Sequence, residues 1–217
     1  SKRLVVMDMD STLIQVEVID ELAKAAGKGD EVSAITRKAM NGEISFNESL
    51  EERVGLLAGI NEDALERIYN NILFTPGAKK FIKILKKLGY KTAVISGGFT
   101  FFTDRLKKEL GLDYAFANNL EIKEGKITGK VTGRIINGEF KAKILEDIAN
   151  KEEITLDQVV AIGDGANDLL MLDKAGLGIA FNAHKAVREK AGYNISQKNM
   201  DSIIYLLGIS EKEKNTI

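Results

Sequence analysis

"LVVMDMDSTL", residues 4–13, is the stretch from which the fold can be read. Three aliphatics and a methionine follow one another without polar interruption, the pattern of a strand covered on both faces. The run ends in Asp8, and Asp10 follows one residue later. Burying a carboxylate is costly, and two neighbouring carboxylates repel. In extended chain, residues i and i+2 point to the same side. Asp8 and Asp10 can therefore face one site, and a site that needs both acids would offset their cost.

Three further apolar runs resemble the first: Thr92–Ile95, Val159–Ile162 and Leu177–Phe181. Helical patterns lie between them. In "TPGAKKFIKILKKLG" (75–89) the apolar stripe is Ala78, Phe81, Ile82, Leu85 and Leu88. Thr75 is the expected N-cap, Pro76 the first helical residue and Gly89 the residue past the end. Strand–helix alternation predicts an α/β fold built on an open parallel sheet with right-handed crossovers. Two segments break the alternation. Residues 15–74 read as helical throughout, with the capping box "SFNE" at 45–48, and predict a helical cap domain inserted after the first strand. Residues near 118–137, rich in β-branched residues and glycine, predict a small antiparallel ribbon. The expected core is then 1–14 together with 75–217. The tail "SEKEKNTI" (210–217) reads as frayed.

Composition narrows the function. Of 217 residues, 31 are Lys or Arg and 32 are Asp or Glu, a net charge of −1 that gives no support to a nucleic-acid or membrane-surface role. There is no cysteine, which excludes disulfides and thiolate metal sites. No stretch approaches the roughly 20 apolar residues of a membrane span. Asp8 interrupts the N-terminal apolar run, so a signal peptide is not expected and the cytoplasm is.

In an open α/β sheet, ligands bind beyond the carboxyl ends of the strands. Three runs end in chemically loaded segments: "DMDST", "SGGF" (96–99) and "GDGAND" (163–168). Asp164 adds a carboxylate to Asp8 and Asp10. Clustered hard oxygens without His or Cys suit Mg²⁺, which in turn favours an anionic phosphate substrate. One carboxylate can attack phosphorus and a second can serve as general acid and base. Ser96 and the amides after it can donate to phosphate oxygens. Two cations interrupt apolar stripes. Arg53 lies in line with Phe46, Leu50 and Leu57, and Lys141 with Ile144, Leu145 and Ile148. Each is either snorkelling or reaching an anion. His184, the only histidine, reads as solvent-facing, and Phe99, Phe101 and Phe102 read as core.

"DMDST", "SGG", a lysine before a helix and "GDGAND", in this order, resemble the four motifs of the haloacid-dehalogenase superfamily of phosphotransferases. The resemblance extends to the cap, in "VEVIDELA" and "KAMNGEISFNESLEERV" (38–54). It implies a Rossmann-like core with a helical cap. It implies Asp8 as nucleophile and Asp10 as acid/base. Mg²⁺ would be held by the side chains of Asp8 and Asp164 and the backbone carbonyl of Asp10, with Asp168 supporting them from behind. Ser96, Gly97, Lys141 and Asn167 would hold phosphate. Glu17 would meet a substrate ammonium and Arg53 its carboxylate, with Met40 and Phe46 sealing the site. The implied reaction is hydrolysis of O-phospho-L-serine, the last step of serine biosynthesis. Phosphoryl transfer to homoserine and hydrolysis of another small phosphomonoester are the alternatives within the superfamily. A phospho-acceptor signalling module is the alternative outside it.

Overall fold

β1 (Leu4–Met7) is the central strand of a seven-stranded sheet ordered β4-β3-β2-β1-β5-β6-β7. The structure is a computed structural model that describes residues 3–210, so the predicted frayed tail lies outside it beyond Ser210. β1 pairs in parallel with β2 (Lys91–Phe99) on one side and β5 (Val159–Gly163) on the other. β6 (Leu177–Phe181) and β7 (Tyr193–Ile195) continue the parallel order. On the far side come β3 (Tyr114–Lys123) and β4 (Lys126–Thr132). The α/β parallel sheet is thus as the sequence predicts.

The apolar run of β1 divides by parity. Val5 and Met7 pack with Phe81, Leu85, Phe102 and Ile203 on one face. Leu4 and Val6 pack with Leu145, Ile148 and Met171 on the other. Helices α5 (Ala78–Lys87), α6 (Thr100–Leu110) and α10 (Asp201–Leu206) contribute to the first layer. Helices α7 (Gly138–Lys151) and α8 (Leu169–Lys174) contribute to the second. The remaining helix beyond the sheet, α9 (Lys185–Arg188), follows β6.

Four helices intervene between β1 and α5: α1 (Val18–Ala25), α2 (Gly29–Met40), α3 (Phe46–Gly55) and α4 (Asp63–Asn70). The chain enters and leaves this insertion side by side. Ile14 and Phe74 form an antiparallel bridge, flanked by Gln15 N–H on Leu73 O (3.0 Å) and Thr75 N–H on Leu13 O (2.9 Å). α3 opens on the predicted capping box, with Ser45 and Glu48 each accepting the other's backbone amide. Leu22, Leu50, Val54, Leu57 and Leu65 join the insertion to the core on the first face of the sheet. α2 is lightly buried, with Val32 the one fully covered residue of its twelve.

The far end of the insertion is stitched to β4. Gly59 N–H donates to Ile127 O and Ile127 N–H to Ile60 O, both at 2.8 Å, and Glu62 N–H donates to Gly125 O at 2.9 Å. α4 is also tied to α6, through Tyr69 Oη on Glu109 (2.6 Å) and the Arg105–Glu66 ion pair.

Several boundaries differ from expectation. The second strand continues through the "SGGF" segment to Phe99, with a register irregularity between Ile95 and Phe99. The ribbon is one end of the main sheet: β3 runs parallel to β2 before it folds back on β4 through Glu124 and Gly125, both at positive φ, the two-residue turn that suits a hairpin. Thr75 does not cap α5. Gly77 holds that position, and the Thr75 hydroxyl donates instead to Thr12 O at 2.6 Å. Gly89 does occupy the left-handed position past the helix end, as predicted. Among the described residues, no helix is long and apolar enough to cross a membrane.

Candidate active site

Beyond Met7 the chain stays extended at Asp8 and Asp10, while Met9 between them is fully buried in the core. The parity argument therefore holds: one residue anchors the segment and its two neighbours turn the other way. Asp8 N–H completes the sheet by donating to Ile162 O at 2.9 Å. Asp164 sits at the end of the adjoining β5, so the two acids are abreast. The turn after Asp10 is tight, with Ser11 at φ 56° and Ile14 N–H on Met9 O.

A cavity of about 380 Å³ opens above these strand ends. Asp8, Asp10, Gly97, Asp164 and Asn167 line it from the sheet side, and Glu17, Met40, Phe46 and Arg53 line it from the insertion. Three more of the predicted residues are buried with them: Ser96, Lys141 and Asp168 are each 0% exposed. Phe46 and Gly97 are close-packed across the cavity, where a Cβ on Gly97 would come within 2.9 Å of the ring. Met40 is 69% exposed at the end of α2, so it stands at the mouth and seals nothing in this conformation.

Lys141 answers the choice between snorkelling and pairing. Its ammonium donates to Asp8 Oδ1 at 2.8 Å and to Asp168 Oδ1 at 2.7 Å. Burial alone would lower the Lys141 pKa, but Asp168 and Asp8 outweigh it and hold the ammonium above its ordinary value. Asp168 is fully engaged, because its second oxygen accepts the amides of Asp164 (3.1 Å) and Gly165 (3.0 Å). It is held there by close packing: a Cβ on Gly163 would lie 2.5 Å from Asp168 Cγ. Asp8 Oδ1 also accepts Met9 N–H at 2.8 Å, and Oδ2 is unengaged among the described residues.

The acids are under strain from burial and from one another. Burial raises Asp8 well above the carboxylate range, with Asp168, Asp164 and Asp10 adding to the rise and Lys141 opposing it. Burial and then Glu17 raise Asp10, against a hydrogen bond from Val18 N–H at 3.1 Å. Burial and Asp168 push Asp164 up to about 7, while Thr12 Oγ1 donates to its Oδ1 at 2.8 Å. Glu17 is reached by solvent through the cavity but crowded by protein around it. That crowding raises its carboxyl, opposed by the Ser11 hydroxyl at 2.7 Å. Carboxylate oxygens of Asp8, Asp164 and Asp168 lie within 4.8 Å of one another. An all-oxygen donor set with unengaged carboxylate atoms and excess negative charge fits a hard divalent cation.

Some participants escaped the sequence reading. Gly98 N–H donates to Ser96 Oγ at 2.9 Å, fixing that hydroxyl. Asn118, 2% exposed, bridges Gly97 O (2.9 Å) and Ile136 N–H (2.8 Å), so β3 steadies the glycine loop. Asp20 lines the cavity beside Glu17. His184 is exposed, as expected, yet it also belongs to the cavity wall. Thr12 was visible in "DMDST", but nothing in one chain shows which acid it orients.

The sheet, the strand-end aspartates and the buried lysine define the class. The chain belongs to the haloacid dehalogenase-like hydrolase family, whose sequence model matches residues 5–173. It is 58% identical over 206 residues to a phosphoserine phosphatase of Archaeoglobus fulgidus, covering 95% of this chain and 60% of that one. A phosphoserine phosphatase of Streptomyces coelicolor is 51% identical over 98% of this chain and 52% of its own length. The chain thus spans little more than half of each. A solved structure described as a phospho-aspartyl intermediate analogue of phosphoserine phosphatase superposes with a TM-score of 0.90 at 46% identity, covering 95% of this chain and 99% of the other.

Proposed function

We propose that the protein is a phosphoserine phosphatase: it hydrolyses O-phospho-L-serine to L-serine and phosphate, with Mg²⁺ as cofactor, as the last step of serine biosynthesis in the cytoplasm. The observation that carries this reading is one cavity with a nucleophile-grade carboxylate and a buried lysine at its base and both Glu17 and Arg53 on its wall. The substrate has three charged groups, and the cavity offers a complement to each. The relatives' names point the same way.

In this reading residues 15–74 form a cap over a core of 1–14 and 75–217. Asp8 and Asp164 hold Mg²⁺ with the Asp10 carbonyl, and Asp168 braces them while it anchors Lys141. Bound there, the cation neutralises the paired acids and the phosphate oxygens. Ser96, Gly97, Asn167 and Lys141 hold the phosphate. Glu17 takes the ammonium and Arg53 the carboxylate, which places the phosphorus over Asp8. An Asp8 oxygen attacks phosphorus, and the serine oxygen leaves with the proton of Asp10. Burial favours the protonated form of Asp10 in the metal-free protein. A water then enters, gives its proton to Asp10 and attacks the aspartyl-phosphate, which returns Asp8 and releases phosphate. Met40 and Phe46 limit water during the first step, which requires Met40 to move inward from its exposed position.

The test is phosphate release from L-phosphoserine, L-phosphothreonine and p-nitrophenyl phosphate, each with Mg²⁺ and with EDTA. A metal-dependent preference for phosphoserine of about tenfold or more supports the assignment. Metal-dependent release with no preference discards the substrate and keeps the chemistry. Release of phosphate from none of them overturns both.

A further inference from the structure

α1 begins at Val18 with Glu17 as its N-cap, and Asp20 follows in the first helical turn. Both carboxylates line the cavity with Arg53. Arg53 is half-buried in α3, and its Nε donates to Ser49 O at 3.1 Å. The terminal nitrogens of the guanidinium have no partner among the described residues, and Asp20 makes no ion pair there either. The two groups face one cavity beyond contact distance. Each charge nonetheless favours the ionised form of the other. Burial lowers the Arg53 pKa, and Asp20 opposes this most, ahead of Glu17 and Asp10. Burial raises Asp20, and Arg53 opposes that most, ahead of Lys24.

We propose that Asp20 is a positioning residue, the counter-charge that keeps the Arg53 guanidinium turned into the cavity where a substrate carboxylate meets it. A half-buried arginine with no counter-charge gains by swinging its head into bulk water. A carboxylate in direct contact would hold it but would occupy the nitrogens that a ligand must reach. One set back on another helix of the insertion attracts the guanidinium and leaves those nitrogens open. The inference rests on reading Arg53 as the contact for the substrate carboxylate.

The experiment compares Asp20→Asn, Arg53→Ala and the double variant, each as the ratio of kcat/KM for O-phospho-L-serine to that for p-nitrophenyl phosphate. Asp20→Asn should lower the ratio about threefold to tenfold, mainly through KM, as expected for coupled neighbours. Asp20→Glu should recover most of it. In the Arg53→Ala background Asp20→Asn should change the ratio less than about twofold. An equal loss with and without Arg53 means that Asp20 meets the substrate itself and overturns the proposal. So does an unchanged ratio in the single variant. The wild-type ratio, measured first, judges the substrate assignment separately. A second readout needs no substrate: phenylglyoxal labelling of Arg53, followed by peptide mass spectrometry, should be at least about twofold faster in Asp20→Asn, because a less supported guanidinium is more exposed and more easily deprotonated. Unchanged labelling also overturns the proposal.

Discussion

Replacing Lys141 with methionine removes one charge and keeps the shape of the side chain. The apolar stem of Lys141 packs on the face that α7 shares with Ile144, Leu145 and Ile148, and methionine can fill that space. What disappears is the pairing with Asp8 and Asp168, at 2.8 and 2.7 Å. Removing one partner of a buried ion pair costs about 3–5 kcal/mol, because the remaining charge stays desolvated. Here two carboxylates are left facing each other. At roughly 2–4 °C per kcal/mol for a chain of this size, the metal-free variant should melt about 6–20 °C lower. The penalty has a pH signature. Orphaned acids take up protons more readily than paired ones, so the variant recovers relative to wild type as the pH falls. The assay is urea unfolding followed by circular dichroism in EDTA, at about pH 7.5 and again at about pH 5. Phosphoserine turnover should fall by a factor of about a thousand, the scale of losing a charged contact to the transferring group. A variant as stable as wild type at the higher pH, with intact turnover, would refute the view that Lys141 holds these acids together.

The remaining predictions are shorter. Asp8→Asn should abolish turnover while leaving the fold intact, and phosphate release above trace level in a steady-state assay would remove Asp8 as nucleophile. Arg53→Ala should lower kcat/KM for phosphoserine by about 2 kcal/mol or more, the loss of a charge-paired contact; an unchanged value would return Arg53 to snorkelling. Burial holds Asp8, Asp10 and Asp164 above their unfolded range, Asp164 at about 7. The metal-free protein therefore binds more protons folded than unfolded, and its stability should fall as pH rises from about 4 through about 7. Mg²⁺ should flatten that slope, and melting temperatures that diverge in the opposite sense would contradict the charge assignment. Gly163→Ala should push Asp168 off Lys141 and weaken metal activation by about tenfold to a hundredfold, read as the Mg²⁺ concentration for half-maximal rate.

The sequence is most legible where a single periodicity governs. β1 and β5 are apolar on both faces, and their ends show as abrupt polarity changes at Asp8 and Asp164. The i, i+2 argument held because Met9 has one place to go, the core. Lys141 was visible as a charge in an apolar stripe, although its two partners lie 133 and 27 residues away and could not be derived. Glu17 resisted for a local reason. As the N-cap of α1 it has extended backbone, so helical periodicity does not reach it. β7 went unread because its three residues, Tyr193, Asn194 and Ile195, carry no apolar run; an edge strand needs none. Asn118 was silent because its partners, Gly97 and Ile136, lie outside its own strand. Thr75 looked like a cap, but the chain needed its hydroxyl on Thr12, at the neck of the helical insertion.

The stitching of residues 59–62 to β4 has a bearing on solubility. β4 is the last strand of the sheet, and a bare outer edge there would offer unpaired N–H and C=O groups to any passing strand. Ile127, opposite Ile122 in β3, spends both its backbone groups outward on Gly59 and Ile60. The helical insertion thus shields a strand edge as well as roofing a cavity. A motion that pulled the α3–α4 connection away would expose that edge and invite self-association. Opening by α2 alone, a helix with one fully buried residue, leaves those bonds in place. Backbone amides of α2 should accordingly exchange with solvent well before those of Ile127 and Glu62.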